Sequence, residues 1–369
     1  MESEELIMSA KLIKRRSVEC LSLVLACTLL CGVLAGCGSK SNIPSSSSGT
    51  KKIMVGFSMA TLKEDRWLRD RDIFTAKAKQ ENIDVIVSNA NNDVNVQYQQ
   101  VHDMISKGIN VLVIAPQDCE QAAACVQIAK KAGIPVISYD RLVRNANEDV
   151  YISFDNVKVG QLQAEELLKK VPEGGYLILN GAKTDNNSAM FNQGYMGKLQ
   201  PFITNGKIQI VAQTSVEDWR RETAYSFVSD QLKINSSRIK AILAANDSLA
   251  YGAIDALSEA KLTKKVIVVG HDADLAACQR IVDGTQDMTV YKQIDKLVEK
   301  TVEICKTLAQ KQKIKYASTI NNGSCNIPYV MIDVIPVTIK NIDETVIKDG
   351  FQLKEDVYRN VNSKLSSSS

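Results

Sequence analysis

The sequence is poor in histidine, with only His102 and His271 among its 369 residues. A catalytic triad places a histidine beside a nucleophile, and histidine is a common ligand of protein-bound zinc. With only two isolated histidines, neither a catalytic triad nor a zinc site is expected. We expect His102 at a surface or packing position of a helix and His271 at the rim of a site rather than on a ligand. Neither a metal nor a cofactor is expected.

An excess of charge of one sign is also missing. The chain has 45 Lys and Arg against 42 Asp and Glu, a net charge of +3, and its basic residues are scattered. Proteins that bind nucleic acids gather basic residues on one face or stripe. The sequence therefore predicts no nucleic-acid partner.

The nine cysteines show no Cys-x-x-Cys spacing. Four of them lie in the N-terminal 37 residues, which leaves an odd number in the rest of the chain: Cys119, Cys125, Cys278, Cys305 and Cys325. This pattern argues against a disulfide framework or a zinc knot. A pair between Cys119 and Cys125 is one alternative, but an apolar helix position is favoured for Cys125.

The N-terminal region contains an apolar run shorter than the ~20 residues that a helix needs to span a membrane. A basic segment at 11–16 precedes this run at 20–34, and Leu34-Ala35-Gly36-Cys37 follows. The arrangement resembles the lipobox of bacterial lipoproteins. The resemblance implies that residues 1–36 are a signal peptide and that Cys37 carries a lipid. Residues 37–50 would then be a Ser-rich tether to the extracytoplasmic face of the cell membrane.

Short apolar strands alternate with helices along most of the remaining chain. Strands are predicted at 53–57, 85–87, 111–114 and 135–139, and, after a restart at Asp155, at 176–179, 208–212, 241–244, 266–269 and 288–291. Such alternation is typical of crossover units and a parallel sheet. With a length that suggests about two domains, the pattern predicts an α/β protein of two parallel-sheet lobes with flanking helices.

Polar and aromatic residues follow many of these strands. They are Arg66-Trp67, Asp140-Arg141, Asp185-Asn186-Asn187, Asp218-Trp219, Asn246-Asp247, His271-Asp272 and Lys292. Ligands of open parallel sheets bind outside the carboxyl ends of the strands. A single charged pair there is more often a solvated loop, but the repetition at seven strand ends favours a binding site.

The composition of these strand ends suits a small neutral polyol. A sugar hydroxyl both donates and accepts hydrogen bonds, so carboxylates, amides, Arg and Lys together satisfy a ring of hydroxyls. The apolar faces of a sugar ring pack well on an indole. Trp67 and Trp219 are the only tryptophans in the sequence. Either one alone could simply be a packing residue, but two at corresponding strand ends are predicted to enclose the ring.

Taken together, these motifs resemble the bacterial D-xylose-binding proteins of the ribose-binding-protein superfamily. The resemblance extends from about residue 51 to 349 and includes Arg66-Trp67, Tyr139-Asp140-Arg141, Asp185-Asn186-Asn187, Asn246-Asp247 and Thr289-Val290-Tyr291-Lys292. It implies ligand contacts by Arg66, Trp67, Asp140, Arg141, Asp185, Asn187, Trp219, Asn246, Asp272 and Lys292. Asp185 is a weaker candidate among these, as are Asn186 and Asp247.

The resemblance also implies a type I periplasmic-binding-protein fold, with lobes joined by a three-segment hinge. The crossings would fall near 154–155, 291–292 and 321–326. The first lobe would comprise residues 51–154 and 292–322, and the second lobe 155–291 and 323–350, with a C-terminal tail at 351–369. The implied function is closure of the lobes on D-xylose or a related monosaccharide, which is then presented to an ABC sugar importer.

Three other functions compete with this interpretation. A glycoside hydrolase needs two carboxylates flanking an aglycone, and a cavity closed around a monosaccharide leaves no room for one. A repressor of the same superfamily would carry a DNA-binding headpiece where this chain has a signal peptide and a tether. A sensing protein that signals to a membrane histidine kinase or chemoreceptor would use the same binding site, so this alternative stays open.

Overall fold

Residues 52–361 are described by a computed structural model, and they fold as two lobes that are each built around a β-sheet. The sheet of the first lobe has the strand order β11-β12-β5-β4-β3-β1-β2 and is parallel except for the β11–β12 hairpin. Its strands are β1 (Ile53–Met59), β2 (Ile83–Asn89), β3 (Val111–Ala115), β4 (Val136–Tyr139), β5 (Val150–Phe154), β11 (Ser318–Asn321) and β12 (Asn326–Ile332). Strand β3 is apolar and buried throughout, as expected of a strand with helices on both faces.

The second lobe contains a four-stranded parallel sheet with the order β7-β6-β8-β9. Its strands are β6 (Gly174–Asn180), β7 (Ile208–Ser215), β8 (Ile239–Ala244) and β9 (Ile267–Val269). A bridge from Val269 to Met288 continues this sheet toward β10 (Thr289–Lys292), which pairs antiparallel with β13 (Val334–Val337). The predicted α/β class with two parallel-sheet lobes is confirmed.

Helices alternate with the strands and cover the sheets. They are α1 (Asp65–Gln80), α2 (Val94–Ser106), α3 (Ala123–Lys131), α4 (Asn156–Lys170), α5 (Asn186–Thr204), α6 (Arg221–Asn235), α7 (Asp247–Glu259), α8 (Leu275–Asp283), α9 (Ile294–Ala309) and α10 (Lys354–Val357). Helix α9 follows a strand of the second lobe but packs against α1 in the first lobe. The parallel arrangement brings the carboxyl ends of the strands in each lobe to one edge of the sheet.

The chain passes between the lobes directly after β5, directly after β10, and at Asp333 between β12 and β13. The predicted third crossing at 321–326 is wrong, because these residues form the turn of the β11–β12 hairpin. Strand β12 then pairs with β5 in the first sheet. Residues 323–332 therefore belong to the first lobe, and the predicted boundary at 322 moves to 333.

The predicted C-terminal tail at 351–369 is also corrected for its described part. Phe351 and Val357 are buried, and the Phe351 ring lies 4.7 Å from that of Tyr291. The guanidinium of Arg69 donates to the Phe351 carbonyl at 2.7 Å. Apolar side chains and backbone hydrogen bonds thus hold residues 351–361 against the fold instead of leaving them as a tail.

Two glycines allow helices α4 and α5 to cross closely. A Cβ added to Gly160 would lie 2.1 Å from the Phe191 carbonyl oxygen, and one added to Gly194 would lie 2.1 Å from that of Val157. Without side chains at this crossing the two backbones approach each other directly. The contact fixes α5, which carries Asn187 in its N-terminal turn, against the helix that follows the first crossing.

All five cysteines within 52–361 have free thiols, so the alternative of a Cys119–Cys125 pair does not occur. Cys125 is buried on α3, as predicted, and only Cys325 of these five is exposed. No helix among the described residues has the length and hydrophobicity to cross a membrane. The predicted signal peptide, the lipidation site at Cys37 and the tether lie outside the described residues.

Candidate functional site

One cavity between the lobes is lined by all ten predicted site residues. Arg66, Trp67, Asp140 and Arg141 come from the first lobe, Asp185, Asn187, Trp219, Asn246 and Asp272 come from the second, and Lys292 lies at the second crossing. The space between these side chains amounts to about 330 Å³, including its opening to solvent. The carboxyl ends of both sheets therefore face each other across one compartment. That these residues contact a ligand remains a prediction.

Two carboxylates of the first lobe hold the Arg66 side chain in place. Its Nη1 donates to Asp140 Oδ1 at 2.7 Å, and its Nε and Nη2 donate to Asp70 Oδ2 at 3.2 and 3.0 Å. Asp70 also accepts a hydrogen bond from the Tyr139 hydroxyl. Burial raises the pKa of Asp70 to about 6. Asp70 lies outside the cavity lining and acts through the orientation of Arg66.

Asp140 adopts a left-handed backbone conformation with φ of 61°. This conformation is uncommon outside glycine and persists where surrounding contacts enforce it. Here the Asp140 carbonyl accepts from the Tyr151 hydroxyl at 2.9 Å, the Ser153 hydroxyl at 2.6 Å and the Asn187 amide at 3.1 Å. The three bonds fix the turn that points the Asp140 carboxylate toward Arg66.

Two contacts join the lobes through side chains of the site. Arg141 Nε lies 2.8 Å from Asp185 Oδ2, and both side chains are almost fully buried. Asn187 donates from the second lobe to the Asp140 carbonyl, while its Oδ1 accepts from the Asn156 amide at 3.0 Å. The Asn187 amide is therefore already engaged in lobe closure, a role that its position in the sequence does not indicate.

Trp67 and Trp219 occupy opposite lobes and have different neighbours. The guanidinium groups of Arg66 and Arg141 lie 4.2 and 5.2 Å from the centre of the Trp67 ring. Trp219 meets Phe191 and His271 edge-on, each at 6.5 Å between ring centres. A left-handed pair at Asp218 and Trp219, with φ of 52° and 55°, turns the indole toward the cavity.

Gly181 leaves the space that the Trp219 indole occupies. A Cβ at this position would lie 2.0 Å from Trp219 Cη2 and 2.2 Å from Cζ2. Real Cβ atoms do not approach other atoms this closely, so any side chain at position 181 would displace the indole. Gly181 therefore sets the position of the second tryptophan without lining the cavity itself.

Asp272 and Lys292 form an ion pair at the second lobe, with 3.2 Å between Nζ and Oδ1. His271 lies beside them and is buried in the cavity wall, which corrects its predicted position at the rim. Burial and the charges of Lys292 and Arg66 lower the pKa of His271 well below its usual value. The imidazole is therefore neutral near pH 7 and acts as a polar lining group.

Asn246 and Asp247 are neighbours in the sequence but have different roles in the site. Asn246 Oδ1 caps helix α7 by accepting from the Leu249 amide at 2.9 Å. Asn246 also lines the cavity, and this bond fixes the orientation of its side-chain NH2 group. Asp247 accepts from Gln286 at 2.7 Å and from Thr289 at 2.8 Å, behind the cavity wall. Burial and the neighbouring Asp272 raise the pKa of Asp247 to about 7. Asp247, a weaker candidate, thus supports the wall rather than facing the cavity.

Three residues that line the cavity are absent from the predicted site: Glu64, Phe191 and His271. Phe191 lies one helical turn after Asn187, so the spacing of four residues was a usable signal. His271 directly precedes Asp272, and this adjacency was also a usable signal. Glu64 precedes α1 between the exposed residues Lys63 and Asp65, and this local pattern carries no signal for an inward side chain.

The three cationic side chains that line the cavity are each paired with a carboxylate, and Glu64 adds a fourth carboxyl group, whose pKa is raised by burial. Arg66, Arg141 and Lys292 are matched by carboxylates of Asp140, Asp185 and Asp272. Among the described residues no group of three or more His, Cys, Asp or Glu is arranged to hold a metal ion. Buried Trp219 Nε1, His271 Nδ1 and Glu64 Oε2 have no hydrogen-bond partner within the protein. Because buried polar groups are normally paired, this arrangement favours a neutral ligand with several hydroxyls.

Comparison with known proteins agrees with this geometry. The model of a periplasmic binding protein domain matches residues 55–313. The chain is 45% identical to the D-xylose-binding periplasmic protein of Haemophilus influenzae, over 85% of this chain and 95% of that protein. It is 41% identical to the Escherichia coli protein of the same description, over 83% of this chain and 93% of that protein.

A solved structure is similar over most of the chain. It is a carbohydrate transporter solute-binding protein from Chloroflexus aurantiacus in complex with D-glucose. The sequences are 31% identical, the TM-score is 0.79, and the match covers 83% of this chain and 98% of that one.

Proposed function

Because this chain belongs to the periplasmic binding protein family, we propose that it binds D-xylose between its two lobes. It is a sugar-binding protein and not an enzyme, like the binding proteins to which it is 41–45% identical. The observation that carries the choice of ligand is the convergence of ten hydrogen-bonding and aromatic residues from both lobes on one cavity. Closure on the sugar is a population shift toward the form in which both lobes contact it.

The chemistry of the cavity supports a monosaccharide. Its carboxylates, guanidinium groups and amides supply acceptors and donors to hydroxyls around a ring. Its aromatic side chains offer apolar surface to the C–H groups of a sugar face. The paired cations fit a neutral ligand, because Arg66, Arg141 and Lys292 already have carboxylate partners and an anionic ligand would bring an uncompensated charge into the cavity.

We further propose that the protein is a lipoprotein, anchored through Cys37 on the extracytoplasmic face of the cell membrane, that delivers sugar to an ABC importer. The lipobox-like Leu34-Ala35-Gly36-Cys37 supports the anchor. The similarity to a carbohydrate transporter component supports the importer. Signalling to a membrane histidine kinase is the second candidate, since either partner would recognise the closed form. A neighbouring gene pair for an ATPase and a permease favours import, and a neighbouring histidine kinase gene favours sensing.

Calorimetry of residues 51–369, which form a compact unit of their own, tests the ligand. A panel of D-xylose, D-ribose, L-arabinose, D-glucose and D-allose should give the tightest binding for D-xylose. The absence of heat with every aldopentose overturns the assignment.

Asp140→Asn provides the matched site variant. It should weaken binding by an order of magnitude or more, because it removes a charge that pairs with Arg66. Asp103→Asn is the control, since 71% of the Asp103 side chain is exposed on the same lobe. Equal affinities of the two variants would argue against this cavity as the binding site.

A further inference from the structure

Two residues of the cavity also line a second space. Outside the cavity lies a vestibule between the lobes, whose walls include Lys63, Asp65, Asp218, Arg220, Glu222 and Tyr251. Glu64 from the first lobe and Trp219 from the second line both the cavity and the vestibule. These two side chains therefore stand at the mouth of the cavity, one on each side.

Each of the two side chains presents a buried polar atom that has no partner in the protein. Trp219 is 7% exposed, and its Nε1 is a donor without an acceptor. Glu64 Oε2 is an acceptor without a donor. Buried polar atoms are rarely left unpaired. One donor and one acceptor on facing lobes are the complement of a single hydroxyl group, which accepts one hydrogen bond and donates another.

The local backbone leaves Glu64 free for this role. Glu64 is the N-cap residue of α1, a position at which a side chain commonly bonds to the first amides of the helix. Its carboxyl group makes no such bond. Burial raises the pKa of the Glu64 carboxyl group, and the charge of Arg141 opposes this rise, which places Glu64 within the electrostatic environment of the site.

We infer that Glu64 and Trp219 form a hydroxyl-binding subsite at the mouth of the cavity, and that Glu64 helps to select the sugar. In this subsite the ligand hydroxyl accepts from Trp219 Nε1 and donates to Glu64 Oε2. Because the vestibule lies directly outside, a hydroxyl or hydroxymethyl group at this end of the sugar has space beyond the ring. The inference rests on the proposed sugar-binding function and assigns a specific recognition contact within it.

The contact is tested by a double-mutant-type cycle, in which the affinity of each protein variant is measured for each ligand analogue. The proteins are residues 51–369 with the natural sequence, Glu64→Leu, Glu64→Gln and the control Asp65→Asn, which changes a vestibule charge outside the cavity. The ligands are D-xylose, its 2-, 3- and 4-deoxy analogues, D-glucose and 6-deoxy-D-glucose. Thermal unfolding without sugar shows whether each variant is folded.

Glu64→Leu should weaken the binding of D-xylose or D-glucose at least tenfold, while Asp65→Asn stays within twofold. Glu64→Gln should recover most of the loss, because its amide oxygen still accepts. One of the deoxy sugars should bind the natural sequence more weakly than its parent sugar does. The Glu64→Leu variant should bind this deoxy sugar as well as the natural sequence does, since both changes remove the same bond.

Two results overturn the inference while leaving the sugar-binding function intact. One is a Glu64→Leu variant that keeps its affinity within twofold for all sugars. The other is a loss that adds fully to that of every deoxy analogue, which would mean that no particular hydroxyl meets Glu64. If the natural sequence binds none of the sugars, the proposed function itself fails, and the inference fails with it.

Discussion

Gly181→Ala is the sharpest test of how the second lobe presents its tryptophan. The added methyl group would lie 2.0 Å from Trp219 Cη2 and 2.5 Å from Ser188 Oγ. The indole is the group that must move, because it occupies the space where the methyl group would be. The substitution thus displaces Trp219 together with its Nε1 donor and leaves the other polar groups of the cavity in place.

The size of the effect follows from what the indole contributes. An aromatic contact is worth ~0.5–1.5 kcal/mol beyond its buried area. Covering on the order of 50 Å² of sugar surface adds roughly 1.25 kcal/mol at ~25 cal/mol per Å². A loss of about 2–3 kcal/mol corresponds to a dissociation constant that is ~30- to 150-fold weaker.

Calorimetry with D-xylose measures this loss, and thermal unfolding without sugar separates it from a change in stability. The matched control is Gly197→Ala, since a Cβ at Gly197 in α5 meets no atom within 4 Å. Alanine in a helix interior is favoured over glycine by ~0.5–1 kcal/mol, so the control should be more stable and bind normally. A Gly181→Ala variant that binds within twofold of the natural sequence refutes the reasoning about Trp219.

Three further predictions concern the network around the site. Asn187→Ala should weaken sugar binding ~5- to 100-fold in calorimetry, because the closed form loses a hydrogen bond to a buried carbonyl; Asn192→Ala, whose bonds stay within the second lobe, should not. Asp70 has a folded-state pKa of about 6, raised from 3.8, so the folded state holds its proton more tightly. Its contribution to the free energy of unfolding should therefore decline between pH ~4 and ~6, by no more than about 3 kcal/mol. Urea unfolding of Asp70→Asn should lack this slope, and an unchanged slope would contradict the assignment. A thiol reagent should modify native residues 51–369 at Cys325 alone, as the other four thiols are buried; mass spectrometry of Cys325→Ser should then show no rapid labelling.

The strand-end residues were predictable because the geometry of parallel sheets decides where they meet. Asp140, Trp219 and Asn246 each follow a recognisable apolar strand, and parallel strands deliver such residues to a common edge. The same rule says nothing of a side chain that precedes a helix. Glu64 was therefore missed, although it lines the same cavity as the other three.

The hinge was harder to predict, because composition and topology disagree there. The Asn-rich segment at 321–326 has the composition of a linker, yet it is a hairpin turn within one lobe. The actual crossing lies within residues 329–337, where a single charged residue, Asp333, interrupts an otherwise apolar run. Only the pairing of β12 with β5 and of β13 with β10 reveals that the two halves of this run belong to different sheets.

The matched ion pairs of the cavity have a consequence for the surroundings in which the protein works. Arg66, Arg141 and Lys292 already have carboxylate partners within 3.2 Å, and all of these groups are buried. A neutral sugar can therefore bind without displacing or recruiting counterions, and buried pairs are little screened by dissolved salt. The recognition energy then resides in short-range contacts rather than in long-range attraction. Such a site would hold its ligand equally well in dilute and in saline surroundings, where a receptor for a charged nutrient would lose affinity as salt rises.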